Sequence, residues 1–83
     1  MKLKLCYFAR LKDSFGSGSE QLETDAASVA ELLLELRQRG GSWASELGQG
    51  KAFRVARNQE LVQGDAELAD GDEIAIFPPV TGG

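Results

Sequence analysis

The 83-residue chain closes on "IFPPVTGG", and the group there with chemistry to offer is the backbone carboxylate of Gly83. A free α-carboxyl has a reference pKa of about 3.3 to 3.7, so at neutral pH it is ionised and is a poor acyl electrophile until a leaving group is attached. Once it is a mixed anhydride, the same carbonyl accepts a sulfur or nitrogen nucleophile, and a small terminal residue leaves the approach unhindered. Pro78 and Pro79 bias the backbone toward an extended conformation, and Val80, Thr81, Gly82 and Gly83 have no long side chain to fold back. Five residues beyond Pro78, at about 3.3 to 3.6 Å each, reach at most roughly 18 Å, enough to enter another protein's site. Without Cβ atoms, Gly82 and Gly83 fit a channel too narrow for a side chain. The expectation is a projecting tail over residues 78–83.

Other reactive groups are sparse. The chain has no histidine, which removes the commonest general base and metal ligand. Its one cysteine, Cys6, excludes an internal disulfide and fits a reducing, cytoplasmic setting; on a strand and with no base beside it, it reads as structural. Asp70, Asp72 and Glu73 lack the spacing of a calcium loop, and "DGD" reads as a turn whose acids could face basic residues of a partner. Lys2, Lys4, Arg10 and Lys12 read as a solvated strand edge and loop. A formal net charge of −4 argues against nucleic acid as the main ligand and favours a partner with basic surface. No stretch approaches a membrane span, and "MKLKLCYFARLKD" does not resemble a secretory signal.

The elements that must carry the tail follow from periodicity. Residues 2–9 alternate and then turn apolar, as in a strand entering a sheet from a solvated edge. "DSFGSGSEQLET" reads as a flexible turn at Gly16 and Gly18, returning as a second strand over Gln21 to Thr24. In "SVAELLLELRQRGG", Ser28 and Glu31 have capping-box spacing, and Val29, Leu32, Leu33 and Leu36 share one helical face. Gly40 or Gly41 would end that helix in a left-handed conformation. Residues 42–50 read as a short helix or irregular segment, with Trp43 and Leu47 as core contacts. Further strands are expected at Phe53–Val55, at Leu61–Val62 after an "RNQE" turn, and at Glu73–Phe77, where Pro78 stops the ladder. One amphipathic helix must cover one face of this sheet, giving a single two-layer α+β domain over residues 1–83.

These residues carry a resemblance. "LCYFARLKDSFG", "SVAELLLEL", "NQELV" and above all "LADGDEIAIFPPVTGG" resemble, across nearly the whole chain, the β-grasp sulfur carriers, and within them the small subunit of molybdopterin synthase. The resemblance implies a β-grasp, ubiquitin-like fold with a mixed four- to five-stranded sheet and one main helix on one face. It implies that an ATP-using, ubiquitin-activating-like enzyme adenylates Gly83, and that a sulfur-donating enzyme converts it to a thiocarboxylate. The tail then enters the large synthase subunit and gives its sulfur to a cyclic pyranopterin precursor of the molybdenum cofactor. On this reading the chain is not itself a catalyst and holds no permanent cofactor. The family's docking patch corresponds to Phe8, Leu61 and Phe77, of which the aromatic Phe8 and Phe77 could equally be core residues by type. Two positions depart from the family pattern: Arg57, where an apolar residue is common, and Cys6, where an aromatic is frequent.

Three other readings stay open. The activated carboxylate could form an isopeptide bond with a lysine, as in a protein modifier. It could serve a thiamine-pathway sulfur carrier, although those chains lack the "FPPVTGG" form. Or the tail could be inert on a plain binding domain.

Overall fold

The computed structural model describes residues 1–48 and 50–79. Five strands and three helices follow one another as β1 (Lys2–Tyr7), α1 (Arg10–Phe15), β2 (Ser19–Glu23), α2 (Val29–Arg37), α3 (Gly41–Glu46), β3 (Arg54–Arg57), β4 (Glu60–Val62) and β5 (Glu73–Phe77). In space the strands lie in the order β2-β1-β5-β3-β4. β1 pairs antiparallel with β2 and parallel with β5, in the register Leu5↔Ile74 and Tyr7↔Ile76. β3 runs antiparallel to β5, with Arg54 opposite Phe77, and antiparallel to β4. The last strand in the chain is therefore the middle strand of the sheet.

Strand alternation decides which side is covered. Leu3, Leu5, Tyr7, Ile74 and Ile76 point to one face and are essentially removed from water, together with Val29, Leu32 and Leu36 of α2. Each such side chain contributes about 1.5–3 kcal/mol relative to an exposed one, so this layer is what holds α2 on the sheet. α2 starts where the capping box places it: Ser28 Oγ accepts the amide of Glu31 at 3.3 Å. Leu33 packs at the margin of the core and Leu34 faces solvent.

Two local expectations change. The segment after β1 is no loose loop but helix α1, which buries Leu11 and ends at Gly16 in the left-handed conformation (φ 74°), with its amide on the carbonyl of Lys12. At six residues, with no side-chain N-cap at Ala9, α1 is too short to show a period. α2, in turn, ends at Arg37 with Gln38 still right-handed. The amides of Arg39 and Gly40 reach back three residues, to Leu36 and Arg37, so the last turn tightens before the chain turns at Gly40 (φ 76°) and Gly41 (φ 52°) into α3. The "RNQE" turn is a two-residue hairpin with Asn58 and Gln59 both at positive φ, the hand that matches strand twist.

Over one end of the sheet, α1 and α3 close an aromatic cluster. Phe15 stacks on Trp43 at 3.8 Å, and Tyr7 meets both edge-on at 5.1 and 5.3 Å. The Tyr7 hydroxyl donates to Glu20 at 2.7 Å, and Arg39 grips both oxygens of Glu20 at 2.9 Å while its guanidinium lies 4.4 Å from the Trp43 ring centre. Arg39 is the main cause holding the Glu20 carboxyl below its ordinary range; burial, then the bond to Glu20, pushes the Tyr7 phenol up. Every buried side-chain nitrogen and oxygen among the described residues has a hydrogen-bond partner.

Candidate functional site

The helices leave the other face of the sheet open. Across four strands the register aligns Cys6, Ala75, Ala56 and Leu61 in one row on that face. Two residues further along β5, Phe77 lies on the same side, opposite Arg54. Phe8 follows inward-facing Tyr7, so the pleat turns it to the open face, and its amide still bonds to Ile76 O at 3.2 Å. Phe8 is 51% exposed and Leu61 68%, while Phe77 is half-buried. Such contiguous apolar surface, flanked by charged side chains, is the common form of a protein-binding face. Its centre is shallow because Cys6, Ala75 and Ala56 are small, leaving Phe8, Phe77 and Leu61 to stand above it.

All three residues assigned to the docking patch thus share one face, and none belongs to the buried cluster beneath the helices. Cys6 is half-buried in the floor of that face rather than in the core. Arg57, the other departure, turns toward the helical side and donates to the carbonyl of Glu67, fastening the segment before β5 to β3.

β5 ends at Phe77, and half-buried Pro78 and Pro79 carry the chain off the sheet. Val80, Thr81, Gly82 and Gly83 lie outside the described residues.

The acidic residues after β4 have structural work. Asp72 accepts the amide of Ala69 at 2.9 Å and the side-chain amide of Asn58 at 3.0 Å, and Asp70 accepts the amide of Lys2 at 2.7 Å. They tie the start of β5 to β1 and to the β3–β4 turn. Among the described residues no three acid, cysteine or histidine side chains gather as a metal site. A cleft of about 460 Å³ between α2 and β3–β4 is lined by Val29, Leu33, Phe53, Val55 and Val62, with Arg54 and Gln63 as its longer polar side chains. No nucleophile or general base lines it. No helix among the described residues is long and apolar enough to cross a membrane.

The profile of the ThiS family matches residues 5–83. The chain belongs to the ThiS family. This ThiS-family chain is 42% identical over 81 residues to the molybdopterin synthase sulfur carrier subunit of Haemophilus influenzae, covering 98% of this chain and 99% of that one. Among solved structures it resembles small archaeal modifier protein 1 of Haloferax volcanii (TM-score 0.79, 27% identity, 95% of this chain and 98% of that one). It also resembles a chain in the complex of subunits 1 and 2 of molybdopterin-converting factor from Helicobacter pylori (TM-score 0.72, 27% identity, all of both chains). The two-layer α+β domain read from the residues, and the ubiquitin-like β-grasp that the resemblance implied, are therefore the fold of this ThiS-family chain.

Cations near the root of the tail escaped the sequence reading. Arg10, a solvated loop residue by its sequence context, ion-pairs with Glu46 at 3.3 Å and donates to Ala52 O at 3.3 Å, which brings α1 against the segment leading into β3. A partner for Arg10 36 residues away leaves no local signal.

Proposed function

We propose that this chain is the sulfur-carrying subunit of a molybdopterin synthase. The Gly83 carboxylate attacks the α-phosphorus of ATP on an activating enzyme, and pyrophosphate leaves. Hydrosulfide delivered by a donor enzyme then attacks the acyl carbon and displaces AMP, and loss of the S–H proton leaves the terminus a thiocarboxylate. Bound to a large catalytic subunit, the thiocarboxylate sulfur attacks a carbon of a pyranopterin precursor and displaces an oxygen leaving group, and hydrolysis of the resulting thioester leaves the sulfur on the pterin and restores the carboxylate. The chain contributes a carrier group and a docking face, while ATP belongs to the activating partner and the cytoplasm is the setting.

The observation that carries this reading is that β5 passes through the apolar face at Phe77 immediately before it becomes the tail. Docking by Phe8, Leu61 and Phe77 therefore fixes where the tail begins relative to the partner, so that its last carbonyl arrives at a set depth. The similarity to carrier subunits over nearly the full chain, and to a subunit solved in a two-subunit complex, supports the same partner. Incubation with activating enzyme, ATP and a sulfur donor should yield, by intact-mass spectrometry, a species with one oxygen replaced by sulfur at Gly83. A terminus that stays a carboxylate in that complete mixture would rule the reading out.

The likeness to a small archaeal modifier favours a second reading, in which a lysine amine attacks the acyl-adenylate and an isopeptide bond forms. Recovery of Gly83 joined to lysines of other proteins, with pterin synthesis intact on deletion, would favour it.

A further inference from the structure

The net charge of −4 averages over an uneven distribution. β1 and β5 run parallel and β3 runs against them, so the end of β1, the end of β5 and the start of β3 meet at one end of the sheet. That end carries Arg54, opposite Phe77; Arg10, whose guanidinium reaches Ala52 O; and Lys51, next to Ala52 in the chain. One carboxylate, Glu46, sits among them: it pairs with Arg10 at 3.3 Å, accepts the Ser14 hydroxyl at 2.7 Å and feels the charge of Lys51. Arg54 and Lys51 are exposed and make no ion pair among the described residues. The opposite end is acidic, with Glu23, Glu60, Asp70, Asp72 and Glu73 against Lys2, Lys4 and Arg57. Arg10, Lys51 and Arg54 thus gather where β5 ends, with Glu46 the carboxylate paired to Arg10.

We propose that Arg10, Lys51 and Arg54 form a cationic collar around the root of the tail that meets acidic side chains at the mouth of the partner's tail-binding site. This rests on the reading above that a partner takes up the tail. Reach decides between protein carboxylates and a bound phosphate. Any phosphate or pterin that reacts with the chain does so at Gly83, and five residues of extended backbone place that carbonyl up to roughly 18 Å from Pro78. The collar stays at the root, so what faces it when the tail is threaded is the rim of the opening. Charges at a rim act chiefly on encounter: they raise the association rate and orient the approach, and salt screens them. The collar turns the molecule tail-first, and the apolar face then holds it.

The test is association with the isolated large subunit, followed by stopped-flow fluorescence from low to high salt. The double substitution Arg54→Glu with Lys51→Glu is compared with Lys2→Glu with Lys4→Glu, an equal change of net charge at the far end. The collar variant should associate about tenfold more slowly at low salt, lose most of that deficit at high salt, and dissociate at nearly the wild-type rate. The far-end variant should stay within about twofold of wild type. Arg54→Gln with Lys51→Gln should fall between, and unchanged circular dichroism verifies that each variant folds. Equal association rates, or equal slowing by both reversals, would overturn the collar while leaving the carrier reading intact. Submillimolar binding of pyrophosphate by the free chain, lost in the collar variant, would assign these cations to phosphate and overturn it too. Failure of the wild-type chain to form any complex would remove the carrier reading and the collar together.

Discussion

Leu61 and Leu32 are the same residue type with opposite environments, and truncating each separates docking from folding. Leu61 is 68% exposed on β4, so about two thirds of its possible burial remains for a partner to supply. Full burial of a leucine is worth about 1.5–3 kcal/mol, so docking over Leu61 should gain about 1–2 kcal/mol from it, and Leu61→Ala should weaken the complex about 5- to 30-fold. The third already buried limits the folding cost to about 1 kcal/mol or less. Leu32 is fully buried between α2 and the sheet, and Leu32→Ala should cost about 2–5 kcal/mol of stability. Titration calorimetry with the large subunit, paired with urea denaturation of the free chain, reads both quantities. If Leu61→Ala lowers stability by more than it lowers affinity, or leaves affinity unchanged, Leu61 does not belong to the docking face and the assignment of the open sheet fails.

Removing the α2 cap with Ser28→Ala should cost about 1 kcal/mol, seen as a fall of about 4–8 °C in thermal midpoint for a domain of this size. Because Arg39 depresses the Glu20 carboxyl below its ordinary 4.5, the stabilisation Glu20 gives is fully present above that pH and is lost as pH falls through the folded-state value. Glu20→Gln should therefore destabilise the chain at neutral pH, and its gap from wild type should close below about pH 4.5 in denaturation curves taken across pH. Deleting Gly83 should abolish sulfur transfer in a reconstituted assay while leaving the thermal midpoint in place, since a chain end adds little burial.

The strands and α2 were legible because their signals are local. Alternation marks β1, the Ser28–Glu31 spacing marks where α2 begins, and Pro78 marks where β5 and its ladder stop. What stayed hidden depends on distant partners. α1 is held by Leu11 in the core and Phe15 on Trp43, 28 residues on, with no cap and too few residues for a period. The same limit applied to the candidate site. A strand aromatic shows the same letter whether it faces the helices, as Tyr7 does, or open solvent, as Phe8 does, and only the pleat and register tell the faces apart. The cationic cluster was invisible because Arg10, Lys51 and Arg54 are scattered in sequence and meet only when β1, β3 and β5 align.

Because β5 lies between β1 and β3, any pull on the tail is applied lengthwise to a strand bonded along both flanks. The hydrogen bonds of both ladders then bear the load side by side, in shear, rather than peeling away singly as they would from an edge strand. On the proposed carrier reading, an arm drawn back out of a partner pulls on a strand held along both edges, so withdrawal loads the partner's grip before it loads the fold.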